Sequence, residues 1–315
     1  VTALRKAEPR LVERLPRVRG RYRAAAPLAR FTRFRVGGPA EVLFEPADEG
    51  DLARFLAGKP AEVPVTVIGL GSNLLVRDGG VPGVVVRLGA AFQEVRVRGA
   101  MVETGAAAVG LHVAQAARGA GVAGLEFLGG IPGTIGGAVR MNGGAYGVEM
   151  QDVTERVRAV DAAGAIHDLG PAALGFGYRA SAPPADWIFV AARLRGRPGD
   201  PADIARRIAD IQRARETSQP IRAATGGSTF KNPPGMKAWQ LIERAGCRGL
   251  RRGGAVVSEK HCNFLVNEGA ATAGDLEGLG EEVRRRVFEA TGVTLEWEIH
   301  RVGVRRPGAP EASPP

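Results

Sequence analysis

Residues 125–147, LEFLGGIPGTIGGAVRMNGGAYG, constrain the fold of this chain more than any other stretch. The segment holds many glycines and Pro132, yet it is too apolar for a disordered linker. Backbone so bare approaches something closely: a flat cofactor with a long phosphate tail, or other backbone packed tightly against it. A second segment of this kind, GLGSNLLVRDGG at 69–80, follows an apolar strand. Its Gly69, Gly71, Ser72 and Asn73 can turn backbone N–H groups toward an anion such as pyrophosphate. It is not a Rossmann fingerprint, because Leu74 stands where the third glycine belongs, and the chain has no Walker sequence. Two glycine-rich segments within one β-rich region favour the cofactor.

That region lies in a chain of 315 residues, longer than one compact core usually accommodates, so two or three domains are expected. From 41 to about 192 the apolar runs are short and β-rich, separated by glycine turns, with helical patterns at 48–56 and 109–118. An α+β fold is expected, and not a simple sandwich. Asp200 and Pro201 offer an N-cap and an N1 proline to a helix with Ile204, Ile208 and Ile211 on one face, and a new domain is placed there. A helix over 236–245 is closed by Gly246, and Thr272 caps another that ends before Gly292. The last element, TLEWEIHRV, alternates: Leu295, Trp297 and Ile299 on one face, Glu296, Glu298 and His300 on the other. The expected organisation is a mobile basic leader at 1–25, a domain at 26–199 whose two subdomains meet near 90–100, a second domain at 200–304, and a disordered tail at 305–315.

The net charge of +10 raises the question of nucleic acid, but the excess is local: eleven of the 43 basic residues lie in the first 35, against only Glu8 and Glu13. A solvated leader is the commoner meaning of such a run, which leaves no obligatory nucleic-acid partner and RNA binding as a weaker alternative. No apolar run approaches a membrane span, and the early charges leave no room for the core of a secretory signal. Two cysteines, Cys247 and Cys262, fit a reducing compartment, and a cytoplasmic location is expected. The four scattered histidines make no zinc spacing, so no metal is expected.

A third segment, ATGGSTFKNPPGMKAWQLIERAG, places Ser228 after Gly226 and Gly227 and before Lys231 and Asn232. No G-x-S-x-G elbow surrounds it, so a hydrolase nucleophile is not indicated, and spacing alone reads it as a turn serine. Together the three segments resemble the UDP-N-acetylenolpyruvoylglucosamine reductase family. The resemblance runs from FTRFRVGGPAEV near Phe31 to LEWEIHRVG ending at Gly303, with the family's blocks in the family's order.

The fold that this resemblance implies is a two-subdomain FAD-binding domain of the vanillyl-alcohol-oxidase-like type, followed by an α+β substrate-binding domain. By the same resemblance the catalytic residues fall on Arg179 in FGYRAS, Ser228 in GGSTFKNP and Glu298 in LEWEIHRVG. The flavin diphosphate region falls on Gly69, Gly71, Ser72 and Asn73, and the isoalloxazine surroundings on Ile131, Pro132, Gly133, Gly137 and Asn142. Substrate contacts fall on Tyr178, Arg215, Asn232 and His261. The implied cofactor is noncovalent FAD, the reductant NADPH and the substrate UDP-N-acetylglucosamine enolpyruvate; another flavin oxidoreductase of the same superfamily is the alternative. The short spacing from Arg179 to Ser228 resembles the shorter subtype, and Trp297 departs from the family's usual proline.

Overall fold

The computed structural model describes residues 10–306 and builds them around three sheets. The first is four-stranded, in the order Arg21–Pro27, Pro39–Glu45, Val81–Arg87, Val65–Ile68; the first pair is antiparallel and the rest parallel. Parallel strands need a crossover. The helix Glu49–Gly58 supplies it, started by the side chain of Asp48, which accepts from the Asp51 N–H. Val84, Val85 and Val86 are all fully buried, because both faces of the sheet are covered. Val84 and Val86 pack with Leu52 and Phe55 of the crossover helix, while Val85 meets Leu28, Leu43 and Ile68 on the other side.

The second sheet is five-stranded and antiparallel: Ile166–Leu169, Thr154–Val160, Ile188–Arg195, Met101–Gly105, Val95–Arg98. The helices Gly110–Gly119 and Ile135–Arg140 cover it. The helix Pro201–Ser218, capped by Asp200 as its sequence predicts, buries Ile204 and Ile208 in this same core. By packing it belongs with the preceding unit, whereas the sequence reading began a new unit at 200.

The remaining unit has three short strands, Arg251–Arg252, Ala255–Val257 and Leu265–Asn267, packed against the helices Ala238–Arg244 and Ala273–Thr291. Thr272 caps the last helix as expected, in a capping box with Asp275, and Gly292 ends it in the left-handed region at φ 71°. The core of this unit also contains Phe34, Val36 and Leu75 of the first unit. The expected C-terminal strand is shorter than its alternation suggests: only His300–Val302 pairs as a strand, parallel to Leu74–Val76. Its alternation nonetheless holds, with Leu295 and Ile299 buried and Glu296 exposed.

Two expectations about the ends are corrected within the described residues. Residues 10–25 are not a free leader, because Leu11, Val12, Leu15, Val18 and Tyr22 pack on the first core. Their charges are also engaged: Arg14 pairs with Glu62, Arg19 with Asp48, and both Arg21 and Arg23 with Glu45. At the other end Arg305, placed in the tail, reaches Glu277 at 3.3 Å. The remaining parts of the expected leader and tail, 1–9 and 307–315, lie outside the described residues.

Glu277 is the charged centre of the join between first and last units. Its side chain is 4% exposed and takes two bonds from Arg77, at 2.9 and 3.0 Å, besides contacts from Arg301 and Arg305. Beside it Asp78 accepts from the N–H groups of Ala273 and Gly274, at the N-terminus of the last helix. Burial pushes the Glu277 carboxyl up, but the surrounding arginines outweigh burial and hold it below the ordinary value. A depressed carboxyl stabilises the fold above its unfolded pKa, and that contribution disappears as pH falls through the folded one. Glu277→Ala would leave Arg77 and Arg305 without their carboxylate, while Arg301 keeps Glu281, and should lower the unfolding free energy at neutral pH by about 1–3 kcal/mol. Urea denaturation checks this, and the deficit should shrink on acidification.

Candidate functional site

The two glycine-rich segments meet. The Ser72 hydroxyl donates to the Pro132 carbonyl at 2.8 Å, and a Cβ on Gly69 would lie 2.8 Å from Thr134 Oγ1. Gly71 has φ 59°, and a side chain there would strike the Phe31 carbonyl at 2.3 Å, so only glycine makes this turn. Among the described residues no protein acceptor takes the N–H groups of Gly71, Ser72 or Asn73. Successive unpaired amides at a turn suit phosphate oxygens. Across from them Ile131 packs on the second core, while Gly137 is exposed, a Cβ there meeting only Thr134 Oγ1 at 3.7 Å. Gly133, at φ 140°, is partly open beside Ser72. The unpaired Gly71–Asn73 amides could hold a diphosphate, and the bare 131–137 backbone leaves room beside it for a flat ring system.

Two of the expected flavin contacts have other uses for their side chains. The Asn73 side-chain amide donates to the Glu298 carbonyl at 3.0 Å, and the Asn73 backbone carbonyl accepts from the His300 N–H at 3.2 Å. Asn142 is 1% exposed and has φ 40°. Its amide donates to Glu149 Oε2 and to the Gly177 carbonyl, and its carbonyl accepts from the Gln151 N–H. Its side chain is saturated by protein partners and holds the turn that carries Arg179.

That turn is closed by reciprocal bonds between Gly177 and Ala180, with Tyr178 and Arg179 at its tip. Arg179 has φ 56°, a conformation that costs about 1 kcal/mol or more for a residue with a side chain. Its Nε donates to Glu298 Oε1 at 2.9 Å, with both side chains mostly buried, at 20% and 15% exposure. The Glu298 backbone is fixed in turn: its N–H donates to the Thr229 carbonyl at 2.8 Å, beside a bridge between Phe230 and Trp297. Ser228 precedes Thr229, so the expected serine and glutamate come together through one backbone hydrogen bond. The Ser228 hydroxyl is half-buried and has no hydrogen-bond partner among the described residues. Gly227, at φ 82°, brings this loop to within 3.5 Å of the Ser72 carbonyl, measured from where its Cβ would be.

Beside the pair opens a cavity of about 770 Å³, lined by Tyr178, Lys231, Asn232, Met236, Lys237 and Glu296 among others. The Asn232 N–H donates to the Tyr178 hydroxyl at 3.3 Å, so these two expected substrate contacts do meet. Lys231 was not singled out as a site residue; it binds Glu296 at 3.2 Å and adds positive potential at Glu298. The alternation that set Glu296 on the same face as Glu298 was the available signal. Arg215 does not line this cavity; it lies near Tyr146 and Arg33, where burial lowers its pKa. His261 is not brought to the pair: its ring packs on Phe264 and Trp239, and its Nδ1 accepts from the Asn263 N–H.

Two family models match the chain. The FAD binding domain covers residues 40–170, and the C-terminal domain of UDP-N-acetylenolpyruvoylglucosamine reductase covers 219–302. The chain is similar to the UDP-N-acetylenolpyruvoylglucosamine reductase of Paramagnetospirillum magneticum, 62% identical over 93% of this chain and 95% of that one. It is similar also to that of Parvibaculum lavamentivorans, 60% identical over 96% and 97%. Among solved structures it matches the Thermus caldophilus reductase with a TM-score of 0.78 at 40% identity, covering 91% of this chain and all of that one.

Burial raises the pKa of Glu298 above the ordinary carboxylate value, and the Arg179 cation opposes the rise without cancelling it. Removing the cation leaves burial less opposed. Arg179→Met should therefore raise the Glu298 pKa further. A carboxyl NMR titration, with Glu298→Gln identifying the signal, checks this; a fall on losing Arg179 would contradict it.

Proposed function

The chain belongs to the UDP-N-acetylenolpyruvoylglucosamine reductase family, and from that premise we propose that Arg179, Glu298 and Ser228 carry out the reduction of UDP-N-acetylglucosamine enolpyruvate to UDP-N-acetylmuramate, with NADPH as the reductant. The observation that carries this reading is the buried Arg179–Glu298 pair, tied by the Glu298 N–H to the loop of Ser228. FAD, when bound, supplies the hydride, which adds to the terminal carbon of the enolpyruvyl double bond.

Because that double bond is conjugated to a carboxylate, hydride addition moves negative charge onto the carboxylate oxygens. The Arg179 guanidinium, already held in place without substrate, stabilises that charge at little reorganisation cost. Glu298, its neutral form favoured by burial, donates a hydrogen bond to the same oxygens. The adjacent carbon, which bears the ether oxygen, then takes a proton from Ser228. A hydroxyl with no protein partner is free to turn toward it, and the serine oxygen is reprotonated from solvent. One hydride and one proton saturate the double bond.

The cavity beside the pair suits the UDP-sugar. Its lysines, Lys231 and Lys237, favour the diphosphate, and Tyr178 and Asn232 supply a flat face and hydrogen bonds. His261, with its ring held by Trp239 and Phe264, supports the floor of the substrate domain. The substrate and reductant place the enzyme in the cytoplasm; among the described residues no helix is long and apolar enough to cross a membrane. The flavin is held without a covalent bond, so acid precipitation should leave all of it in the supernatant.

Ser228→Ala tests the reading by separating the half-reactions. NADPH oxidation needs the flavin and no proton for an enolpyruvyl carbon, so in stopped flow the variant should bleach at the parental rate. Reoxidation by the enolpyruvyl substrate should slow about 10²–10⁴-fold, the usual value of acid–base assistance. A loss below about tenfold in that step, or equal slowing of both steps, removes Ser228 from the role.

A further inference from the structure

Arg140 is the last residue of the helix Ile135–Arg140, whose first turns form part of the bare wall along the flavin site. Its guanidinium does not sit on a carboxylate at ion-pair distance among the described residues. Instead Nη1 donates to the Pro183 carbonyl at 2.7 Å and Nη2 to the Trp187 carbonyl at 2.6 Å, with the Cζ stacked 4.0 Å over the Phe189 ring. The Arg140 carbonyl accepts from the Ser181 hydroxyl at 3.1 Å. Ser181, Pro183 and Trp187 lie in one loop, 175–187, which also carries Tyr178 and Arg179, and Phe189 lies in the strand that follows it. Two residues on, Asn142 grips the start of the same turn at the Gly177 carbonyl, and between them Met141 Sδ lies 3.1 Å from the ring of His300.

A planar guanidinium with two carbonyls from one loop fixes direction as well as distance, which a lysine cannot do. Such a clamp is needed where the held segment is strained, and Arg179 has the left-handed backbone that would relax if the loop were released. Arg140 does not line the substrate cavity.

We propose that Arg140 is a positioning residue: it fixes the turn of Arg179 to the end of the flavin-wall helix and so sets the place of the catalytic cation relative to the flavin. The proposal rests on the assignment of Arg179 as that cation. It is tested on the flavin-loaded enzyme with Arg140→Gln, Arg140→Lys, Arg179→Met and the Arg140→Gln/Arg179→Met double variant. For each, flavin content, melting temperature and the two half-reactions are measured. Arg140→Gln should keep its flavin and be bleached by NADPH at near the parental rate, whereas reoxidation by the enolpyruvyl substrate should slow about 10²-fold, as expected for a misplaced catalytic group. Arg140→Lys, with one of the two carbonyl bonds available to it, should fall between, and it carries the comparison if the glutamine variant does not fold. In the Arg179→Met background the Arg140 substitution should cost less than about twofold more, because the residue it positions is gone. A full penalty in that background, or equal slowing of both half-reactions, overturns the proposal. Arg179→Met reoxidising at the parental rate overturns instead the assignment of Arg179, and the positioning role of Arg140 with it.

Discussion

The parallel pairing of His300–Val302 with Leu74–Val76 is the constraint on which the site depends. Strand Leu74–Val76 begins where the glycine turn ends, so its partner necessarily arrives beside the amides of Gly71, Ser72 and Asn73. The residues just before His300 then reach the Ser228 loop, and the Glu298 N–H finds the Thr229 carbonyl. A chain end more than two hundred residues away is thereby placed against the flavin turn by three residues of strand. So short a ladder does not hold by itself. The Arg77–Glu277 bonds and the Asp78 contacts to the start of the last helix reinforce it immediately alongside.

Two buried glutamates in this join show how the number of nearby cations decides what a carboxylate does. Both are pushed up by burial. Glu277 has three arginines around it, and they bring its carboxyl below the ordinary value, so it stays charged and serves as a fixed anion for the fold. Glu298 has one arginine in contact and one lysine at longer range, and burial prevails. A carboxyl pushed up by burial takes up a proton more readily than one held down by its cations, such as Glu277.

Local rules of sequence were reliable wherever the cause is local. Asp200 and Thr272 cap the helices their positions announce, Gly292 closes the last one, and the alternation of Leu295, Trp297 and Ile299 survives where the strand itself is lost. The sequence misled where the cause is tertiary. The arginines at 14–23 read as a solvated leader because their partners, Glu45, Asp48 and Glu62, lie in later elements. The helix Pro201–Ser218 announces its start clearly but not which core receives Ile204 and Ile208. The side-chain amides of Asn73 and Asn142, which family resemblance sets among the flavin contacts, donate to Glu298 and Gly177, 225 and 35 residues away, separations that no periodicity reports, while the Asn73 backbone N–H has no protein acceptor among the described residues.

The same long-range holding explains how the site can be ready before substrate arrives. Each of its groups is also held by a unit other than the one that bears it. Arg179 stands on the second sheet's unit but pairs with Glu298 of the C-terminal segment. Glu298 is held by Asn73 of the first unit. Ser228 follows Gly226, where a side chain would run into the Phe34 ring of the first unit at 2.3 Å, and the Phe34 carbonyl accepts from Asn267. Had each group been supported only from within its own unit, their relative positions would vary with the motion between units, and the cation, the acid and the hydroxyl would align only in passing. Cross-unit support converts the interfaces themselves into the device that aligns them. The cost of assembling three functional groups is then met during folding, by burial and by ion pairs at the joins, and is not taken from the binding of the substrate.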